Sequence, residues 1–402
     1  MAGETENLTG RQEAAIRESA VDDRQPDVSV IIPFTERDAL LDRAVASVRQ
    51  ALAAAPEIRG EILPIDDTAR RGVSRARNEG LRRARGTWIV FVDADDELGE
   101  GFFREVLLPY CYDETVELVS CGYEALAGAV NGQASPSSEE NPDVGGGNAS
   151  HSISADARVD ISGEEECPAR SGLFRRRFLD GVLCRLRTAA SKTERERPRS
   201  AGYPSEPESS ILTGYRFIEY RLLQQDTHVW AKAFRQTAIT ETFDETLTIG
   251  EDMLFLLEFA LRAGKQKCVA VTDTIGYHYT VNPAGAMERP FDPAYLDELR
   301  SWKKATERLL PEARTFSAYA LRALGVARVR TALMVPLKIA RTTAPETWDS
   351  GEIRDALTQT AAAVREALKI NGTFAGLTWK EKMKTVLFLK APMRFLGLAR
   401  KQ

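Results

Sequence analysis

No window of the 402-residue sequence approaches the ~18 consecutive apolar residues that a membrane-spanning helix needs. There is no basic excess either: the formal net charge is -5, which excludes a dedicated nucleic-acid binder, since that binding runs on Lys and Arg. Histidine is scarce, with three in the chain, and no G-x-S-x-G occurs, so nothing in the sequence signals a Ser-His-Asp hydrolase. The five cysteines (Cys111, Cys121, Cys167, Cys184, Cys268) form no C-x-x-C and are odd in number. They read as reduced, mostly buried thiols rather than a disulfide framework or a zinc site. No internal repeat is present. Hydrophobic residues at 43 % and charged residues at 28 % suit a globular chain of two or three domains.

Residues 1–27 carry seven acids and three arginines without an apolar run. They read as a flexible tail and not as a secretion signal, so the expected location is cytoplasmic. The β-branched run Val28 to Ile32 then stops at Pro33, as a strand buried on both faces does. Apolar residues at helical spacing follow (Leu40, Leu41, Ala44, Val45, Val48, Leu52). Glu61 to Ile65 and Trp88 to Val92 read as further strands, with a helix over Gly72 to Arg85 between them. Strand–helix alternation predicts a parallel α/β sheet whose sites form at the carboxyl ends of the strands. All three strands end in acids or in Pro and Thr.

The segment 126–210 differs in kind. From Glu124 to Glu166 it holds nine acids against one arginine, with Gly145-Gly146-Gly147 among Ser, Asn and Pro. It cannot bury enough apolar surface to offset its ordering entropy, so a largely disordered insertion is expected. Asp252 to Ala263 has the pattern of a helix, Cys268 to Tyr279 that of a strand, and the chain beyond Phe291 looks helical.

The strongest chemical signal is Asp93-Ala94-Asp95-Asp96 after an apolar strand. In extended chain, residues i and i+2 point the same way, so Asp93 and Asp95 can converge on one hard cation such as Mg²⁺ or Mn²⁺ that keeps positions open for phosphate oxygens. The competing reading is a helix N-cap near Gly101. Asp66-Asp67 ends the second strand, where a carboxylate can accept from a nucleobase or ribose or simply hold a turn. Glu251 and Asp252 precede a helix, where acids serve as caps or, alternatively, as a general base. The arginines from Arg70 to Arg85 read as a solvated helix face, with Arg77 and Asn78 close enough to the third strand to face a diphosphate. His278 reads as a hydrogen-bonded strand residue or a late metal ligand.

Together, VSVIIPF, EILPIDD, GVSRARNEGL, GTWIVFVDADD, WAKAFR, FDETLTIGED and YHYTVNP resemble the family 2 glycosyltransferases of GT-A fold. The resemblance covers about half of the chain and is split by the insertion. It implies a Rossmann-like, mostly parallel sheet with flanking helices and a helical C-terminal region. Residues 28–125 would form the nucleotide-sugar half, 211–290 the acceptor half, and 291–402 the helical region. The implied reaction moves a sugar from a nucleotide-sugar, most often a UDP-sugar, to an acceptor hydroxyl with inversion. Pro33, Thr35, Glu36, Asp67, Arg77 and Asp93 would bind the nucleotide. Asp95, with Asp93, would hold Mg²⁺ or Mn²⁺. Asp252, or alternatively Glu251, would be the base, and Trp230 would shape the acceptor side. The product would be a surface glycan of the cell envelope, built on a glycan or lipid-linked glycan. Alternatives are a degenerate GT-A module that binds without turnover and a nucleotidyltransferase. The latter needs a glycine-rich, lysine-bearing loop that Pro33 to Asp38 lacks.

Two basic segments remain. Arg314 to Arg341 has six basic residues and no acid, and Trp379 to Gln402 has seven basic residues and one acid among large apolar side chains. Either they pack as helices with a basic outer face, or they lie on an anionic bilayer and make the protein a peripheral membrane one.

Overall fold

A computed structural model describes residues 25–127, 209–281 and 290–401. Most of the tail (1–27) and of the insertion (126–210), with Cys167 and Cys184, lies outside the described residues, as do the last two residues of YHYTVNP. The described residues fall in one compact unit.

Strand β1 (Val28–Phe34) is buried along its whole length, as its apolar run predicts. Helix α1 (Ala39–Ala53) starts where Asp38 accepts the backbone N–H of Leu40 and Leu41, both at 3.1 Å. Next come β2 (Gly60–Asp66), α2 (Val73–Arg83), β3 (Trp88–Phe91), the short β4 (Glu97–Leu98) and β5 (Leu118–Ala127). After the undescribed segment the chain resumes with β6 (Ser209–Thr213), α3 (Gly214–Tyr220), β7 (Lys232–Arg235), α4 (Glu251–Ala263) and β8 (Lys267–Val281). The C-terminal part is helical: α5 (Asp297–Leu309), α6 (Ala318–Thr342), α7 (Gly351–Leu368), the single turn α8 (Thr373–Gly376), α9 (Trp379–Lys390) and α10 (Pro392–Ala399).

Among the described residues the strands form one sheet in the order β2-β1-β3-β7-β5-β8-β4, with β6 on β8. Strand β1 runs parallel to β2 and β3, and β5 parallel to β8, while β7 enters antiparallel between β3 and β5. Alternation along the strands splits the core. Ile31, Ile89 and Phe91 face α4 through Phe255 and Phe259. Val30, Ile32 and Val90 face α1 through Leu41, Ala44 and Val48. Each such fully buried side chain contributes roughly 1.5–3 kcal/mol of transfer free energy.

Strand β2 is the edge of the sheet, half-buried along most of its length. The chain reaches α2 from it in a tight turn, closed by the Arg70 N–H on the Asp67 carbonyl at 2.7 Å. No further helix and strand intervenes between β2 and α2.

Helix α6 bears on the two readings of the basic segments. Its first half joins the sheet core through Ala320, Ala323 and Leu324, and its second half the C-terminal core through Val329, Leu333 and Ile339. Two of its cations are used internally: Arg330 pairs with Glu381 at 2.7 Å, and Lys338 lies over the Tyr295 ring. Helix α6 thus takes the packed arrangement of the two, its apolar side buried in both cores.

Candidate active site

The register of β1 against β2 and β3 decides where the polar strand ends meet. Phe34 is opposite Asp66, the Asp67 N–H donates to the Phe34 carbonyl at 2.8 Å, and the Val92 N–H donates to that of Ile31 at 3.0 Å. Pro33 to Glu36, Asp66-Asp67 and Asp93 to Asp96 thus share one edge of the sheet. Pro33 is buried, Thr35 and Glu36 are exposed, and Glu36 pairs with Arg70 at 2.9 Å.

Asp67 is buried and accepts from the backbone N–H of Arg71 (2.7 Å) and Gly72 (2.9 Å), one on each oxygen. That engagement is the turn-holding reading of this residue. Asp66 is the exposed carboxylate beside it, held below the usual carboxylate range by hydrogen bonds from Thr68.

Asp93 to Asp96 is not extended. The Asp96 N–H donates to the Asp93 carbonyl at 3.0 Å, which makes a turn and replaces the alternation expected to aim Asp93 and Asp95 alike. Asp96 caps no helix. Its buried carboxylate accepts from the Tyr277 hydroxyl (2.7 Å) and the Thr280 N–H (2.7 Å), and the Asp93 N–H donates to that same hydroxyl at 3.2 Å. Arg43 holds the Asp95 carbonyl at 2.8 Å. The turn is pinned to β8 and α1, with Asp93 and Asp95 half-buried at its tip. Burial first, then repulsion from Asp93, pushes Asp96 up to about 8.

Neither acid at the start of α4 caps it. Gly250, at φ 88°, occupies the cap position, a left-handed conformation that favours glycine, and offers no side chain to cap the first turn. Both acids turn to Arg77 on α2. Its Nη1 lies 2.8 Å from Glu251 Oε1 and 2.6 Å from Asp252 Oδ1, and its Nη2 lies 3.0 Å from Asp93 Oδ1. Arg77, expected to face a diphosphate, has its guanidinium buried among these three carboxylates. Asn78 is likewise structural, clasping the Phe243 backbone through donor and acceptor at 2.9 and 2.8 Å. Asp252 is the more accessible acid, its side chain 18 % exposed against 8 % for Glu251, and its second oxygen accepts from the Val229 N–H at 3.2 Å.

Trp230 is buried. It stacks on His228 (centroids 3.9 Å apart, 4° between planes) and on Tyr277 (4.8 Å, 13°), with Tyr123 edge-on at 4.8 Å. The expected acceptor-side wall is therefore a layered aromatic cluster in which Tyr123 is the exposed ring. His278 sits with Nδ1 2.8 Å from Glu124 Oε1. Among the described residues no group of three or more His, Cys, Asp or Glu forms a cage for a metal. A cavity of about 680 Å³ is lined by Asn78, Phe243, Glu245, Leu254, Glu258 and Lys304. It contains none of the strand-end carboxylates.

Sequence reading missed Glu298 on α5. It stands beneath Gly250, its Oε2 buried with no hydrogen-bond partner among the described residues, and burial followed by repulsion from Asp252 raises it to about 7. Glu251 rises to about 8, by burial and then by Asp252, against the pull of Arg77. Nothing in the sequence signals Glu298, because its surroundings come from residues some 50 positions away. Carboxylates raised in the fold stabilise it fully below their ordinary value and lose that contribution as pH rises through 7 to 8. The midpoint of thermal unfolding of the metal-free protein is thus expected to fall between pH 6 and pH 9, and Glu298→Gln to flatten that slope. An unchanged slope in melts of the variant would contradict the assignment.

Residues 68–142 match the model of the family described as Glycosyl transferase family 2. A stretch of 120 residues is 31 % identical to the uncharacterized glycosyltransferase EpsJ of Bacillus subtilis (strain 168), covering 24 % of this chain and 34 % of that protein's length. The chain thus spans about a third of the curated relative it matches. Among solved structures, S. aureus TarS 1-349 in complex with UDP-GlcNAc superposes with a TM-score of 0.53 at 15 % identity, covering 93 % of this chain and 90 % of that one. A mannosyltransferase, PcManGT from Pyrobaculum calidifontis in complex with GDP-Man and Mn²⁺, gives a TM-score of 0.38 at 13 % identity over 98 % and 94 % of the two chains. The sheet with its flanking helices and helical C-terminal region is that of the GT-A glycosyltransferases.

Proposed function

We propose that this chain, which carries a family 2 glycosyltransferase segment on a GT-A fold, transfers a sugar from a nucleoside-diphosphate donor to an acceptor hydroxyl with inversion. The observation that carries the reading is Arg77. One guanidinium joins Asp93, at the donor edge of the sheet, to Glu251 and Asp252 at the start of α4. Charges that would stand on opposite sides of a reacting sugar are thereby held at fixed separation.

In this reading 28–125 is the nucleotide-sugar half, 211–290 the acceptor half and 291–402 the helical region. Pro33, Thr35 and Glu36 line the nucleoside pocket, and Asp67 shapes it by holding the β2–α2 turn. UDP is the favoured nucleotide, because the superposed TarS structure holds UDP-GlcNAc. Asp252 accepts the proton of the acceptor hydroxyl as its oxygen bonds the anomeric carbon. The bond from that carbon to the diphosphate breaks, and its electron pair leaves with the diphosphate. Burial raises Asp252, Arg77 pulls against that rise, and Glu251 shares the cation. The layer of Tyr123, His228 and Trp230 forms the acceptor wall.

In this reading Asp95, at the tip of the turn, would hold Mg²⁺ or Mn²⁺ with Asp93 beside it, the cation taking its other ligands from phosphate oxygens and water. When bound, the cation neutralises charge on the departing diphosphate. The acceptor is a glycan or lipid-linked glycan of the cell envelope, reached from the cytoplasmic side. Among the described residues no helix is long and apolar enough to cross a membrane.

A second reading, a GT-A module that binds nucleotide without transfer, is favoured by the position of β2 at the sheet edge and by the engagement of both Asp67 oxygens. Calorimetric titration with UDP, GDP and CDP, with and without Mn²⁺, separates the outcomes. Metal-dependent binding of one nucleotide, weakened at least tenfold in Asp95→Ala, is expected. Absence of binding to all three would overturn both readings, and binding without sugar release to any acceptor would favour the second.

A further inference from the structure

Helix α9 packs Phe388 into the C-terminal core, with Leu387 and Leu389 against it, and turns Trp379 and Val386 outward. Trp379, Met383, Val386 and Lys390 recur every three to four residues and so line one face. That face looks to solvent: Trp379 is 66 % exposed and Val386 36 %, while Phe388 and Thr385 on the opposite side are buried. Phe374, 45 % exposed on α8, extends the patch, because the Lys382 ammonium lies 5.8 Å from its ring centroid and also reaches the Ala375 carbonyl at 3.2 Å. Met393 and Arg394, both exposed, continue it onto the first turn of α10.

Single exposed apolar residues are ordinary on any protein surface. Here large apolar side chains alternate with cations, and the charge is one-sided. From Trp379 to Gln402 there are seven basic residues and one acid. That acid, Glu381, is turned inward to Arg330 at 2.7 Å and to the Thr378 N–H at 2.7 Å. Its charge does not reach the face.

We propose that the outer face of α9, with Phe374 and the start of α10, is a docking surface for an anionic lipid bilayer. The aromatic and aliphatic side chains enter the headgroup boundary while Lys380, Lys390 and Arg394 meet the lipid charge. Each basic residue at such a surface is worth about fivefold in partitioning. A second protein chain is the weaker occupant, because a protein interface is depleted of lysine at its centre. The inference deepens the proposed function, since a lipid-linked acceptor lies in that plane, and it rests on that reading for its purpose only.

Vesicle flotation of the full chain tests it. Binding to phosphatidylcholine vesicles containing phosphatidylglycerol is expected to exceed binding to phosphatidylcholine alone at least tenfold and to weaken in high salt. Trp379→Ser and the combined Lys380→Glu, Lys390→Glu and Arg394→Glu variant are each expected to lose at least tenfold. Circular dichroism and nucleotide titration establish that the variants are folded and keep the donor site, so failure of docking is distinguishable from failure of the transferase reading. No preference for anionic vesicles, binding untouched by these substitutions, or a dimer that the substitutions dissociate would overturn the proposal.

Discussion

Asp252→Asn is expected to lower the turnover number by at least about 100-fold, with nucleotide affinity within a few-fold of the unsubstituted protein. The figure is the lower end of what a positioned general base contributes, ~10²–10⁴. The amide keeps the size of the side chain and can still accept from the Val229 N–H, so the α4 entrance is preserved. It cannot take up a proton. Asp252 also accepts from Arg77 at 2.6 Å, and removing one of three carboxylates around that cation relieves part of their mutual repulsion. The variant should therefore fold at least as well as the unsubstituted protein. Steady-state rates with a saturating donor decide the matter. A turnover within threefold of normal would move the proton to Glu251 or elsewhere.

Arg77→Met is expected to destabilise the protein by about 3–5 kcal/mol near neutral pH, the usual cost of stripping one partner from a buried ion network. The guanidinium is 4 % exposed, so solvent screens it little. Without it, Asp93, Glu251 and Asp252 face one another with no cation. Burial and mutual repulsion already raise Glu251 and Asp252, and loss of Arg77 raises them further. Those carboxylates take up protons at mildly acidic pH, so the deficit should shrink between pH 7.5 and pH 5.5. Urea unfolding at the two pH values measures it. Arg77→Lys keeps the charge but loses the planar fork that serves three acids, and an intermediate loss is expected. A loss below 1 kcal/mol in Arg77→Met would mean that the carboxylates do not depend on this cation.

Much of this arrangement was legible in the chain before any coordinates. The run Val28 to Ile32 has no polar residue but Ser29, and it is a strand buried on both faces. The helix read from Asp252 is α4, and the chain beyond Phe291 is helical. The resemblance read from the motif order agrees with the family match at 68–142 and with the GT-A fold. Elsewhere local rules misled. Alternation predicted that Asp93 and Asp95 point together, but the chain turns there because Asp96 is drawn to Tyr277 and Thr280, more than 180 positions away. Acids before α4 look like caps, yet a left-handed glycine takes the cap position and frees them for Arg77.

Which faces of strands and helices are apolar, which turns end in carboxylates and which segments carry unbalanced charge could all be read from the chain alone. These follow from side-chain periodicity and composition, which are local. What each charge meets was settled by the folded structure. It set Arg77 against acids 174 and 175 positions away, buried the Glu298 Oε2 with no hydrogen-bond partner among the described residues, and packed the apolar side of α6 while leaving Trp379 and Val386 of α9 open. Long-range pairing depends on the packing of whole elements, and a pattern that says a face is apolar does not say what covers it.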